Sequence, residues 1–181
     1  TTLGKGSFPE NHALYLGKPY ELISKQYIRD SDLVIAIGTR FSQVDTEYWD
    51  ILDNKNIIQI DTDFEQVNSI YNFCDYIICN VQQFINIVEN LNLKYQDWNL
   101  HELNQFKKNK KTTYFSKIIN EIRDKNYVLV VDVHEQGYPL VEDIISENKK
   151  EFYFSGNSLN LGYAIPASIG VKFAFSNSIV I

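Results

Sequence analysis

Four short segments carry residue types that bind ligands in α/β proteins, and each follows directly on an apolar run. They are Gly38-Thr39-Arg40, Asp61-Thr62-Asp63, residues 132–137 and residues 155–162. In open parallel sheets, ligands bind beyond the carboxyl ends of the strands. A glycine there lets the backbone approach a ligand, and the unpaired N–H groups at the start of a helix bind phosphate. Each segment is also typical of an ordinary chain turn, so one segment alone predicts a site only weakly.

Several other chemistries lack the residues they need. The sequence has no Walker phosphate loop and no complete G-x-G-x-x-G pattern, which disfavours a dinucleotide dehydrogenase. His12 and His134 have no Ser or Cys nucleophile arranged with them, so a hydrolase triad is not supported. Cys74 and Cys79 have neither the redox nor the zinc spacing, and we expect free thiols. From these patterns we assign no catalytic residue and no metal ligand.

The apolar periodicity predicts two α/β units joined by a polar stretch. In the first unit we predict helices at 22–29, 46–52 and 81–91 and strands at 32–37, 56–60 and 76–79. In the second we predict helices at 115–122, 140–147 and 164–175 and strands at 127–131, 151–154 and 178–181. The run at 32–37 is continuously apolar, which is typical of a strand buried on both faces. Strands alternating with helices imply parallel sheets.

The predicted fold class is therefore α/β, a Rossmann-like parallel sheet linked to the beginning of a second parallel α/β domain. We place the first domain at residues 1–91, a solvated linker at 92–112 and the second domain at 113–181. The chain opens without a leader and closes on an apolar, strand-like run, whose open edge is seldom left as a bare end. We expect the chain to be a piece of a longer polypeptide.

The charge balance narrows the range of partners. The 181 residues include 17 Lys and Arg against 23 Asp and Glu, a net charge of −6. A protein that binds the phosphate backbone normally carries a basic surplus, so no nucleic-acid partner is expected. No apolar run approaches the roughly 20 residues that span a bilayer. We therefore expect no membrane partner and a cytoplasmic location.

The order of the segments is more specific than any one of them. Residues 1–17, T-T-L-G-K-G-S-F-P-E-N-H-A-L-Y-L-G, closely resemble T-x-x-G-K-G-x-F-P-E-x-H-P-L-x-L-G. That pattern belongs to the central domain of thiamine-diphosphate enzymes of the acetolactate synthase type. Residues 32–41, D-L-V-I-A-I-G-T-R-F, are similar to the family's A-D-L-x-I-A-x-G-x-R-F, and residues 57–63 to its I-I-x-I-D-x-D.

The resemblance continues into the second unit. Residues 131–133 are similar to the family's T-D-V-G strand, and residues 155–170 align without a gap with S-G-x-L-G-x-M-G-x-G-L-P-A-A-I-G. The resemblance implies a thiamine diphosphate site, in which the cofactor serves as electron sink for a decarboxylated 2-oxo acid. The implied cofactor-binding residues are Val133, His134, Glu135 and Gln136 at the diphosphate, and Asn160, Leu161 and Gly162 at the rings.

One of these residues has a sharper implied role. Leu161 falls where the family places a bulky aliphatic side chain under the thiazolium ring, which wedges the cofactor into its bent form. The alternative for Leu161 is an ordinary core leucine.

Four positions depart from the family pattern. His134 and Leu159 stand where the family has glycine, and Glu135-Gln136 replaces a Gln-His pair. A carboxylate beside a diphosphate is unfavourable unless it points away or a metal neutralises it.

The first unit also departs from the flavin-binding members of the family. Residues 40–44 read R-F-S-Q-V, whereas those members carry R-F-D-D-R, so bound FAD is not expected. If a nucleotide binds in this unit, the residues implied to line its crevice are Thr2, Gly38, Arg40 and Asp61. The alternative for Arg40 and Asp61 is a surface pair or a turn cap.

The family's remaining catalytic parts do not occur in these residues. Its G-D-G…N magnesium motif would follow Ile181, and its activating glutamate belongs to an N-terminal domain of a neighbouring subunit. We therefore expect the chain to be inactive alone. Its parent would be a lyase or transferase that uses thiamine diphosphate and Mg²⁺ on a small 2-oxo acid, as a dimer or tetramer of identical subunits. The alternative is a non-catalytic Rossmann-like module for nucleotide binding or oligomerisation.

Overall fold

The computed structural model describes residues 1, 3–71, 75–94, 97–122, 127–146, 151–156 and 158–181. The chain forms two compact units, which we call the split unit (Thr1–Lys18 with Leu103–Ile181) and the continuous unit (Pro19–Glu102). These bounds differ from the composition-based boundaries near residues 91 and 112, which stay a prediction. Each unit holds a three-stranded parallel sheet with helices, so the predicted α/β class is confirmed.

The continuous unit alternates helices and strands as the periodicity predicts. Its elements are α1 (Leu22–Asp30), β1 (Leu33–Ile37), β2 (Asn56–Asp61), β3 (Asp75–Ile78) and α2 (Val81–Glu89). The strands lie in the order β1-β2-β3 and pair in parallel. Helix α2 begins at a capping box in which the side chain of Asn80 accepts from the N–H of Gln83, and the side chain of Gln83 accepts from the N–H of Asn80.

The sheet of the continuous unit has a core on one face. Ala36 and Ile57 are buried there against Phe41, Ile51 and Leu52, with Tyr71 completing the cluster. Along β1 the alternate residues Leu33, Ile35 and Ile37 are 45, 48 and 44% exposed. The prediction that this strand is buried on both faces is therefore wrong, because none of the core clusters of the described residues includes this row.

Two further segments differ from the predicted elements. Residues 46–52 form turns rather than a helix, because Glu47, Tyr48 and Trp49 all have positive φ, a conformation that a right-handed helix excludes. Within 92–112, predicted as a solvated linker, a helix α3 spans His101–Asn109 and fully buries Leu103. Because Leu103 is the buried residue of an otherwise mostly polar helix, the sequence of α3 shows little apolar periodicity.

The split unit contains helices α4 (Tyr114–Ile122), α5 (Gly137–Asp143) and α6 (Ala164–Ala174). Its strands are β4 (Tyr127–Val131), β5 (Phe152–Phe154) and β6 (Ile179–Val180), which lie in the order β5-β4-β6. Helix α5, at Gly137–Asp143, begins and ends earlier than the helix predicted at 140–147. In the order β5-β4-β6, the strands β5 and β6 pair with opposite edges of β4.

Strand β4 is buried on both faces. Leu129 and Val131 pack with Ile119 of α4 and with Leu140 and Ile144 at α5. The alternate residues Val128 and Val130 pack with Val171 of α6. Helices thus cover opposite faces of the sheet, the arrangement in which a ligand crevice forms at the carboxyl end of the central strand.

The first segment of the chain completes the split unit through buried charge. The Lys5 ammonium donates to Glu10 Oε2 at 2.7 Å and to the carbonyl oxygen of Ile144 at 2.6 Å. Glu10 Oε2 also accepts from the N–H of Ser146 at 2.9 Å. The ionic groups are paired and hydrogen-bonded, as burial requires.

Across the described ranges, no helix is long and apolar enough to cross a membrane.

Candidate functional site

The tip of β4 and the loop before α6 meet at one carboxylate. Asp132 follows directly on β4, and its Oδ1 accepts from the N–H of Val133 at 2.7 Å and from the N–H of Gly162 at 2.9 Å. Its Oδ2 accepts from the N–H of Ala164, the first residue of α6, at 3.2 Å. Two segments about 30 residues apart in sequence are therefore joined at the carboxyl end of the central strand.

These contacts keep Asp132 ionised. Partial burial raises the pKa of its carboxyl, but the N–H groups of Ala164, Val133 and Gly162 lower it by more, and the nearby His134 adds to that effect. The pKa therefore lies below its ordinary value, because hydrogen bonds to the charged form of a carboxyl favour that form.

The loop at residues 155–162 is held at both ends. At its start, Ser155 accepts from Leu159 N–H through its carbonyl oxygen at 3.0 Å and from Asn160 N–H through its hydroxyl at 3.3 Å. At its end, Gly162 has φ +82° and donates to Asp132. Glycine suits this left-handed backbone, since a side chain there is strained. Residue 157 lies outside the described residues.

The residues predicted to line the rings lie on this anchored loop. Asn160, Leu161 and Gly162 are all exposed, and Leu161 is 80% exposed. The alternative of an ordinary core leucine is therefore wrong for Leu161. The exposed side chain of Leu161, between the hydrogen-bonded residues Asn160 and Gly162, is therefore available for an apolar contact.

The residues predicted at the diphosphate form the turn between β4 and α5. Val133 is buried, whereas His134, Glu135 and Gln136 are exposed. His134 Nδ1 accepts from the N–H of Gln136 at 3.2 Å. The next residue must be glycine, because a Cβ on Gly137 would lie 2.4 Å from the carbonyl oxygen of Asp132.

The continuous unit brings together two of the four predicted crevice residues. Gly38 and Asp61 stand at the carboxyl ends of β1 and β2, and the N–H of Gly38 donates to the carbonyl oxygen of Ile60 at 2.8 Å. Asp61 Oδ1 accepts from the N–H of Asp63 at 3.1 Å, which makes it a turn cap. Arg40 is exposed on the loop after β1, and Thr2 lies outside the described residues.

The remaining candidate groups are metal-binding side chains and the two cysteines. Among the described residues, no group of three or more His, Cys, Asp or Glu side chains could hold a metal ion. Cys79 is a free, half-buried thiol, as predicted, and Cys74 lies outside the described residues.

Reasoning from the sequence placed Asp132 and Ser155 in candidate segments but gave neither residue a role. Asp132 and Ser155 stand at strand ends, and each accepts N–H groups of the loop at 155–162. An Asp directly after a continuous apolar strand was the available signal. Its partners could not be inferred, because they depend on the pairing order of the strands.

Comparison with known proteins agrees with this architecture. Residues 1–88 match the family described as thiamine pyrophosphate enzyme, central domain. The whole chain is 25% identical to the acetolactate synthase large subunit of Lactococcus lactis, of which it covers 34%. It is also 26% identical to the probable large subunit of Methanococcus aeolicus, covering 36% of it, and 27% identical to that of Cyanidium caldarium, covering 34%.

The chain thus spans about a third of the length of the curated relatives it matches. The similarity to these relatives takes in all of this chain, so it extends past the family match at residue 88 into the split unit. Residues 1–88 therefore belong to the central-domain family of thiamine pyrophosphate enzymes, and the resemblance of the chain to the acetolactate synthase type is confirmed.

Proposed function

We propose that the split unit binds thiamine diphosphate at the carboxyl end of β4, as part of an acetolactate synthase-like enzyme that acts on 2-oxo acids. The observation that carries the proposal is the shared acceptor Asp132 Oδ1, which receives N–H groups from both predicted cofactor segments. Had these segments ended on opposite edges of the sheet, one molecule could not contact both.

The available groups suit an elongated molecule with an anionic end and an apolar ring. Gln136 has an exposed side chain that can donate to a diphosphate, and Leu161 presents an exposed aliphatic surface to a ring. The exposed Glu135 opposes a nearby anion unless a metal ion neutralises the charge. When bound, thiamine diphosphate supplies the electron sink for decarboxylation of the 2-oxo acid.

This chain's own contribution would be binding and orientation. Gln136 would hold the diphosphate, and Leu161 would press on the ring and exclude water from it. Among the exposed residues of the site, none is placed here as an acid or base. We accordingly propose that the 181-residue chain alone has no decarboxylase activity.

The remaining parts of the proposal rest on the family resemblance. They are the use of Mg²⁺ at the diphosphate, the absence of FAD, lyase or transferase chemistry and assembly of identical subunits. The proposed cytoplasmic location rests instead on the composition of the chain. On the basis of the change in composition along the chain, we propose a central domain at 1–91, a linker at 92–112 and a cofactor domain at 113–181. From the family resemblance we also propose a nucleotide crevice at Gly38, Arg40 and Asp61 of the continuous unit; Thr2, the fourth predicted residue, lies outside the described residues.

Calorimetric titration of the chain with thiamine diphosphate, with and without Mg²⁺, tests the proposal. We expect binding that Mg²⁺ strengthens. Leu161→Ala removes the apolar contact, which is worth about 1–2 kcal/mol when buried, and should weaken binding by roughly tenfold. Leu159→Ala is the matched control, because Leu159 is an exposed leucine of the same loop that the proposal does not place against the cofactor.

Three outcomes would count against parts of the proposal. Failure of the chain to bind thiamine diphosphate would favour a non-catalytic module. Equal losses in Leu161→Ala and Leu159→Ala would remove the specific role of Leu161. Carbon dioxide release from pyruvate by the chain alone would contradict the proposed inactivity.

A further inference from the structure

The carboxylate of Asp132 organises the candidate site without lining it. All of its described hydrogen bonds go to backbone N–H groups, those of Val133, Gly162 and Ala164. Each oxygen is occupied, since Oδ1 accepts two N–H groups and Oδ2 accepts one. A carboxylate with this arrangement sets the path of the chain.

The carboxylate of Asp132 anchors the end of the loop that follows Leu161, whereas Ser155 holds its start. Residues 158–162 belong to no helix or strand, so no regular hydrogen-bond ladder fixes their position. The N–H of Gly162, directly after Leu161, is tied to Asp132 at 2.9 Å, and that of Ala164 at 3.2 Å. Leu161 is 80% exposed, and therefore packing of its own side chain does not fix the loop.

The charge of Asp132, as well as its shape, suits this residue to accept the backbone N–H groups of the loop. An ionised carboxylate accepts at both oxygens, whereas an asparagine accepts at one and presents an NH₂ group at the other. In Asp132→Asn, either the N–H of Ala164 or the pair from Val133 and Gly162 would face a donor. One side of the anchor would then be lost while the side chain keeps its size.

We propose that Asp132 is a positioning residue that holds Leu161 in place for the cofactor before the cofactor binds. This inference rests on the proposed function for the identity of the ligand. The anchoring of the loop is a property of the chain alone. Because a pre-positioned loop has less freedom to lose on binding, the anchor should increase affinity.

The test compares wild type, Asp132→Asn and Asp132→Ala in the 181-residue chain, with folding checked by circular dichroism. Asp63→Asn is the matched control, since Asp63 also accepts a backbone N–H, that of Glu65 at 3.0 Å, in an exposed turn. The readouts are amide exchange at Gly162 and Ala164, calorimetric titration with thiamine diphosphate and Mg²⁺, and NMR of Leu161 methyl groups during that titration.

We expect exchange at Gly162 and Ala164 to rise at least tenfold in both Asp132 variants and thiamine diphosphate to bind about tenfold more weakly. The Leu161 methyl resonances should shift on titration of wild type and Asp63→Asn, and shift less in the Asp132 variants. Asp132→Ala, which lacks any acceptor, should show the larger effects.

The outcomes separate the inference from the proposed function. If wild type does not bind thiamine diphosphate, the proposed function fails and the ligand part of the inference fails with it. If wild type binds, and the variants exchange faster but bind with unchanged affinity, the function stands and the positioning role is overturned. Unchanged exchange in folded Asp132→Asn would overturn the anchoring itself.

Discussion

At the scale of single residues, two carboxylates define the split unit. Asp132 collects backbone N–H groups from the turn after β4 and from the start of α6. Glu10 collects the Lys5 ammonium, the N–H of Ser146 and, at 3.1 Å, the Tyr15 hydroxyl. Both carboxylates therefore connect segments that are far apart in sequence.

Asp132 should make the stability of the chain depend on pH in acid. Its pKa is lowered in the folded state, so its contribution to the free energy of unfolding is complete above the unfolded pKa, about 4. That contribution is lost as pH falls through the lower folded pKa. Urea unfolding of wild type and Asp132→Asn at a series of pH values measures it, and the difference between the two should shrink below about pH 4.

His134 requires a control in this experiment, because its positive charge also lowers the pKa of Asp132. The double variant His134→Gln with Asp132→Asn, measured against His134→Gln alone, isolates the backbone contribution. A difference between wild type and Asp132→Asn that stays constant down to pH 2 would contradict the assignment.

At the scale of elements, the ends of strands and the starts of helices decide where the site forms. Strand β4 ends at Val131, and α5 begins at Gly137 after a turn of five residues. The turn is tight because the backbone of Gly137 approaches the carbonyl oxygen of Asp132. Only a residue without Cβ allows this approach, so the glycine fixes the position of residues 133–136.

Gly137→Ala should therefore destabilise the chain. Its Cβ would stand 2.4 Å from the carbonyl oxygen of Asp132 and 3.2 Å from Cγ1 of Val131, and relief requires the backbone to move. Overpacking of this kind costs about 1–3 kcal/mol. Chemical denaturation followed by circular dichroism measures the change in the free energy of unfolding.

Gly170→Ala provides the matched control within a helix. A Cβ on Gly170 in α6 would meet nothing within 4 Å, and alanine is favoured over glycine in a helix by about 1 kcal/mol. We expect this variant to be as stable as wild type or more so. A Gly137→Ala chain that matches Gly170→Ala in stability would show that the turn is not constrained.

The sequence predicted elements well where periodicity is strong and poorly where tertiary contacts decide. Strand β4 and helix α6 are long apolar patterns and were found within a residue. Residues 46–52 were predicted as a helix but form turns, from which the adjacent apolar residues Ile51 and Leu52 are buried in the core. For the site, Leu161 could be proposed by resemblance, whereas its anchor at Asp132 required the order β5-β4-β6.

At the scale of the whole chain, the family match and the compact units divide the sequence differently. The match to the central domain runs over residues 1–88, whereas Thr1–Lys18 forms part of the split unit. The segment carries the G-K-G-S-F-P-E motif, whose Lys5 and Glu10 are 7 and 4% exposed as side chains. The motif thus has a structural role in the split unit, independent of any ligand.

We expect the largest loss in the free energy of unfolding when the buried Lys5–Glu10 pair is broken. Lys5→Met removes the cation that faces Glu10 Oε2 and the Ile144 carbonyl oxygen and that lies 5.1 Å from the Phe152 ring centroid. Breaking one partner of a buried pair leaves an uncompensated charge and costs roughly 3–5 kcal/mol. In the double variant with Glu10→Gln the charge is gone, so we expect recovery of part of the loss. Lys25→Met, which removes the partly exposed pair with Glu47, should cost at most about 1 kcal/mol. Urea unfolding with amide exchange at Ser146 measures both effects, and equal losses in Lys5→Met and Lys25→Met would refute the anchoring of the N-terminal segment by buried charge.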